Sequence, residues 1–208
     1  MFNINTRIPG WNGEDILTVI ADYSSKVKPG GNILELGALF GRTTHAIGNN
    51  KNLDVKLTVI DIWWGIKHSN HLPGWYHDKK AGRPETALLE RLTKHYPEES
   101  ITGDDFYLLW QVFTSGIVNM NSIRDLTSIP NESFPEFDLI IHDAAHDYEH
   151  VYEDLTNWFP KLKSDGVMII DDYEPNFTGV IQAVDQYTLE NNLHTEMVTG
   201  RNILLKRK

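Results

Sequence analysis

Four short apolar runs, each ending in or beside a carboxylate, constrain this chain more than any other feature. They are NILELG from Asn32, KLTVID ending at Asp61, FDLIIHD ending at Asp143 and GVMIIDD ending at Asp171-Asp172. Each is too short for a core helix and too continuously apolar for a half-exposed strand, so each reads as a strand buried on both faces. Helical spacing fills the intervals. Ile16, Leu17, Val19, Ile20 and Tyr23 mark one buried face, with Asn12 as its expected cap and Pro29-Gly30-Gly31 as its end. A second helix starts near Arg42, and a third over 104–116 leads into a short strand at 117–121. Val151, Leu155, Trp158, Phe159 and Leu162 predict another helix, and Val180, Ile181, Val184 and Tyr187 the last. The terminal stretch from His194 reads as two strands around Thr199-Gly200. Strands alternating with helices predict an α/β, doubly wound, mostly parallel sheet with right-handed crossovers.

The 208 residues fit a single domain spanning 1–208. Residues 62–105 break the rhythm. They are rich in aromatics, His, Gly and Pro, including Trp63, Trp64, His68, His71, Trp75, Tyr76 and His77. They read as an inserted substrate or lid loop with a helix near 85–96. The irregular His spacing argues against a metal site there.

No cysteine is present, which excludes disulfides, thiol nucleophiles and thiolate metal sites. No run approaches the roughly 18 apolar residues of a membrane span. The N-terminus lacks the basic start and apolar stretch of a secretory signal. A cytoplasmic protein without membrane association is the expectation. The net charge of −10, with basic residues clustered only at Lys206, Arg207 and Lys208, argues against nucleic acid and for a small-molecule partner. A homo-oligomer is compatible with these data.

In an open parallel sheet, ligands lie beyond the carboxyl ends of the strands. Gly37 and Gly41, in the turn ELGALFGRTT, let the backbone approach a ligand or simply pack tightly. Asp61 ends the second run, twenty residues after Gly41, where a carboxylate either accepts ribose hydroxyls or caps a helix. The three-glycine fingerprint of dinucleotide binding is missing. Glu35, two residues before Gly37, would repel a pyrophosphate but suits a ligand bearing an amino group and a sulfonium. Methyl transfer therefore fits better than hydride transfer. If the runs ending at Asp143 and Asp171-Asp172 are neighbours, their carboxylates converge, and a divalent cation such as Mg2+ relieves their repulsion. The alternative is one capping and one solvated Asp. Zn2+ fits less well without Cys, although His142, His146 and His150 lie close by. His146 is either a general base or a structural residue.

These motifs together resemble one family. The stretch from Phe137 to Tyr173, followed by GVIQAVDQY and preceded by ELGALFGRTT and LTVIDIWWG, is similar to methyltransferase family 24. This is a group of class I S-adenosylmethionine-dependent enzymes related to sugar O-methyltransferases. The resemblance runs from about residue 30 to 190. It implies a seven-stranded sheet with an antiparallel last strand, but residues 62–105 match no family pattern, so the acceptor is not inherited; a small hydroxylated or sugar-like molecule is the expectation. It implies that Glu35, Gly37 and Gly41 cradle the methionine part of the cofactor, with Thr43 and Trp63 in the same two turns. Asp61 matches the ribose acid and Ser122 the position near the adenine. Asp143 matches a residue placed at both cofactor and metal. Asp172 matches a second metal ligand, and Asp171 fills a slot where relatives have His or a further ligand. Asp143 and His146 are the expected catalytic pair. Ala145 stands where some sugar methyltransferases carry an acid, which leaves His146 as a replacement base. The implied cofactors are S-adenosylmethionine and a divalent cation. Two other readings share this scaffold: a cofactor-binding protein without methyl transfer, and a hydroxylase-like relative.

Overall fold

The computed structural model describes residues 2–64, 88, 91–92, 94–96 and 100–208. The expected lid residues from His68 to His77 lie outside these. The elements run α1 (Glu14–Lys26), β1 (Asn32–Leu36), α2 (Arg42–Asn50), β2 (Lys56–Asp61), α3 (Gly103–Phe113), β3 (Met120–Arg124), β4 (Phe137–His142), α4 (Tyr148–Trp158), a 3-10 turn (Phe159–Lys161), β5 (Leu162–Ile170), α5 (Thr178–Glu190), β6 (His194–Met197) and β7 (Ile203–Lys206). The seven strands pair in the order β3-β2-β1-β4-β5-β7-β6. The first five are parallel. The β6–β7 hairpin joins through β7, which runs antiparallel to both neighbours. The expected sheet, hairpin included, is the one formed.

Alternation along each strand explains the two cores. Ile33, Leu57, Val59, Leu139, Ile141 and Ile169 face one side, against the helices α1, α2 and α3. Leu34, Leu36, Ile60, Ile140, Met168 and Ile170 face the other, against α4 and α5. A side-chain period of two between two helix layers makes apolar residues favourable on both faces, which is why the runs show no polar/apolar alternation in the sequence, with Glu35 a buried exception.

Three local expectations shift. Asn12 does not cap α1. Gly13 occupies that position and Asn12 is buried. The third strand begins three residues later than its apolar run. The chain turns through Gly116 and Asn119, both with positive φ, before Met120 pairs with Leu57. Leu162, expected to continue the α4 face, opens β5 after the Pro160 turn. Proline cannot extend the helical hydrogen bonding past that point.

The order β2-β1-β4 places the topological switch between β1 and β4. There the strand ends stay stitched one step beyond the ladder. Gly37 N donates to Ile60 O at 2.9 Å, Asp143 N to Leu36 O at 2.8 Å, and Asp171 N to His142 O at 2.9 Å. The turns after β1, β2, β4 and β5 are thereby aligned along one edge. Among the described residues, no helix is long and apolar enough to cross a membrane.

Candidate active site

A cavity of about 510 Å3 opens at that edge. Its size suits a small ligand. Of the sequence-predicted residues, Gly37, Thr43, Asp61, Trp63, Asp143, His146 and Asp172 line it. Glu35, Gly41, Ser122 and Asp171 do not.

The first turn shows why glycine stands at position 37. Its φ is +82°, and a Cβ there would lie 2.0 Å from the carbonyl oxygen of Asp143. The turns after β1 and β4 touch only because this residue has no side chain. Gly41, with φ +89°, begins α2, whose N-terminus has no side-chain cap. Asp61 ties the neighbouring turns together. Its Oδ2 accepts from Ala38 N at 2.6 Å and Leu39 N at 2.8 Å, and its Oδ1 from Trp63 N at 2.6 Å. Trp63 Nε1 donates to Leu39 O at 2.8 Å, and its ring packs on Tyr107 and Trp110. Three non-glycine residues on the wall, Leu39, Trp63 and Asp172, hold positive φ. The other described non-glycine examples are Asn119 and Asn192, a residue type that tolerates it. Each left-handed Leu, Trp or Asp costs about 1–2 kcal/mol at most, and such strain gathers at functional sites.

Glu35 lies behind this wall, fully buried. Neither carboxylate oxygen makes a hydrogen bond of normal geometry. Burial, reinforced by the charge of Asp61, pushes it up to about 8, while the hydroxyl and amide of Thr44 pull it down. The native state thus holds a proton that the unfolded chain releases near pH 4.5, so stability falls as pH rises between about 4.5 and 8. Glu35→Gln is expected to remove that slope and to raise stability above pH 8, by an amount on the order of a few kcal/mol. Urea unfolding of both proteins at pH 5 and pH 8.5 checks this. A parallel pH dependence in the two would show that Glu35 ionises freely.

The opposite wall carries the acids. Asp143 sits beside Asn12, whose Nδ2 donates to Asp143 Oδ2 at 3.0 Å and to Thr43 Oγ1 at 2.9 Å. Arg42 holds this N-terminal segment in place, donating to Ile8 O and Asn12 O. Asn12 Oδ1 is buried without a partner. Asp143 keeps an exposed edge, yet burial, followed by the charges of Asp171 and Asp172, raises it well above the usual carboxylate range. Arg201 and the Asn12 amide oppose that shift.

Ligand atoms of Asp143, His146 and Asp172 all lie within 4.8 Å of one another. His146 Nε2 approaches Asp172 Oδ2 at 2.8 Å without the geometry of a normal hydrogen bond. Asp171 does not join them. Its carboxylate receives Arg201, Asn202 Nδ2 at 2.6 Å and the amide of Asp172 at 2.8 Å. The two other neighbouring histidines stay outside this group, although His150 also lines the cavity. His142 Nε2 meets buried Asp154 at 2.9 Å, and His150 Nδ1 meets Asp147 at 2.7 Å.

Ser122 lies within β3, where its hydroxyl meets Tyr107 at 2.9 Å. The residues after that strand, from Asp125 to Ser128, line the cavity instead. Sequence reasoning placed the strand end too early and so missed them. It also missed Trp11, Asn12 and Arg201. Asn12 carried only a capping signal, and nothing local marked Arg201.

Residues 34–173 match the family model described as a methyltransferase domain, more than half of the chain. No curated protein matches the sequence. Solved structures share the fold. The O-methyltransferase NovP is 18% identical with a TM-score of 0.66, over 94% of this chain and 81% of that one. CalS11, described as a TDP-rhamnose 3'-O-methyltransferase, is 16% identical with a TM-score of 0.55, over 92% and 76%. A putative rRNA-methylase from Clostridium thermocellum is 11% identical with a TM-score of 0.54, over 94% and 96%. With the family match spanning the glycine turn and every strand-end acid, the chain belongs to methyltransferase family 24, the class I S-adenosylmethionine-dependent methyltransferases.

Proposed function

We propose that the enzyme methylates a hydroxyl oxygen of a small, sugar-like acceptor with the help of a divalent cation. The observation that carries this reading is the grouping of Asp143, His146 and Asp172 in the same cavity as the glycine turn. Their facing atoms are close without being hydrogen-bonded to each other, an arrangement that oxygen- and nitrogen-binding ions stabilise. NovP and CalS11 are described as O-methyltransferases, and the net charge of −10 disfavours an RNA acceptor.

The residues present fit the cofactor. The unpartnered Oδ1 of Asn12 beside Asp143 offers acceptors to an ammonium, and the uncapped start of α2 favours a carboxylate. Together they suit the zwitterionic methionine end. Asp61 would hold the ribose, and 125–128 the adenine side. S-adenosylmethionine supplies an already activated methyl group, so the protein's task is alignment and dryness. A divalent cation on Asp143, His146 and Asp172 would lower the pKa of the acceptor hydroxyl. Trp11, Leu39, Trp64 and Phe177 also line the cavity and would shield a bound acceptor from water.

A second reading rests on the His146–Asp172 contact. An imidazole backed by a carboxylate can take the acceptor proton without any metal. Calorimetric titration of S-adenosylhomocysteine and Mn2+, followed by turnover of a panel of sugar hydroxyls with and without chelator, separates the two. Cofactor binding with chelator-sensitive oxygen methylation is expected. Turnover that survives complete metal removal would leave the imidazole base, and absent cofactor binding would overturn both.

A further inference from the structure

Three strand-end carboxylates crowd this edge, but they are not equivalent. Arg201, from the β6–β7 hairpin, grips Asp171 with a two-pronged contact, Nε to Oδ1 at 3.0 Å and Nη2 to Oδ2 at 2.8 Å. Asn202 Nδ2 and the Asp172 amide also donate to Oδ1, so Oδ1 is crowded by three donors while Oδ2 is held by Arg201 Nη2 alone, and Arg201 is what turns that oxygen away from the cation site. The main chain that carries Arg201 is anchored beside this turn, since Arg201 O accepts from Tyr173 N at 2.9 Å. Arg201 Nη2 also stands 2.7 Å from Asp172 Oδ1. Only Asp172 Oδ2 is left turned towards His146.

We propose that Arg201 is a built-in counter-ion that keeps Asp171 out of the cation site, leaving a set of two carboxylates and one imidazole. This rests on the metal-assisted reading given above. The consequence is selectivity. Mg2+ and Ca2+ prefer all-oxygen surroundings, whereas an imidazole nitrogen favours first-row transition ions such as Mn2+ and Co2+. The guanidinium, fixed beside Asp172 on the cavity wall, also repels any cation placed there and lowers affinity overall. Removing it has two effects on Mg2+ in the same direction: Asp171 becomes a free oxygen ligand, and the repulsion is lost.

The test is direct titration of Mg2+ and Mn2+ into the metal-free protein, read by calorimetry and without any turnover assay. The wild type is expected to bind Mn2+ more tightly than Mg2+. Arg201→Met is expected to bind Mg2+ about tenfold more tightly than wild type, the scale on which groups behind a ligand shell shift metal affinity. Arg201→Lys keeps the charge but loses the fork, and should gain less while retaining a normal melting temperature. Adding Asp171→Asn to Arg201→Met should cancel most of the gain. Unchanged or weaker Mg2+ binding in folded Arg201 variants would overturn the proposal, as would a gain that survives Asp171→Asn. If wild type and variants all fail to bind either ion while still binding S-adenosylhomocysteine, the metal-assisted reading falls and takes this one with it.

Discussion

An enzyme carrying both Asp143→Asn and Asp172→Asn is expected to lose methyl transfer by about 10³-fold or more, because a Lewis acid contributes several kcal/mol to such a step. Its melting temperature should stay close to that of the wild type. Both substitutions conserve shape. Asp172 holds φ +60°, a conformation that Asn tolerates at least as well as Asp. The Asn12 amide can rotate to present Oδ1 to the new amide at 143, which would also satisfy its orphaned oxygen. Removing two negative charges from an edge where Asp143, Asp171 and Asp172 repel one another offsets the contact that Arg201 gives up. Product formation with labelled cofactor, together with circular dichroism melting, gives both readouts. Turnover within tenfold of wild type would remove the carboxylates from the mechanism. A collapse in melting temperature would recast them as structural.

Gly37→Ala should be strongly destabilising. The left-handed φ of +82° costs an alanine about 1–2 kcal/mol. The new Cβ would also stand 2.0 Å from Asp143 O and 2.5 Å from its carbonyl carbon. Both are backbone atoms, so no side chain can swing aside. Overpacking of this kind adds about 1–3 kcal/mol, for a total of about 2–5 kcal/mol. Relief requires the turns after β1 and β4 to separate, which also spoils the cavity between them. Urea unfolding should therefore show a lower midpoint, and the surviving folded protein should bind S-adenosylhomocysteine poorly. A wild-type midpoint would mean that the two turns are not in contact in solution. Gly200, where an added Cβ meets nothing within 4 Å, is the control position.

The sequence by itself determined the layers and the edge. Strand length and largely apolar character marked β1, β2, β4 and the second half of β5, because a strand covered on both faces has no polar side to show. Their acidic ends were legible for the same reason: the apolar run stops where the sheet meets the cavity. Gly37 and Asp61 could be read from local spacing, since each acts within its own turn or the next. The third strand was harder. Its faces are only partly buried, so its apolar signal is weak and the apolar run ends three residues before the strand does.

Tertiary structure alone decided which acids act together. Asp143 and Asp172 meet because β4 pairs with β5, a fact of strand order. Asp171 and Asp172 are adjacent in the chain and both touch Arg201, yet after the left-handed turn at Asp172 only that residue also reaches His146. Asn12 reaches Asp143 across 131 residues, and Arg201 reaches Asp171 across 30. Contacts of that span leave no periodic trace, because they depend on how whole elements pack rather than on the residues beside them.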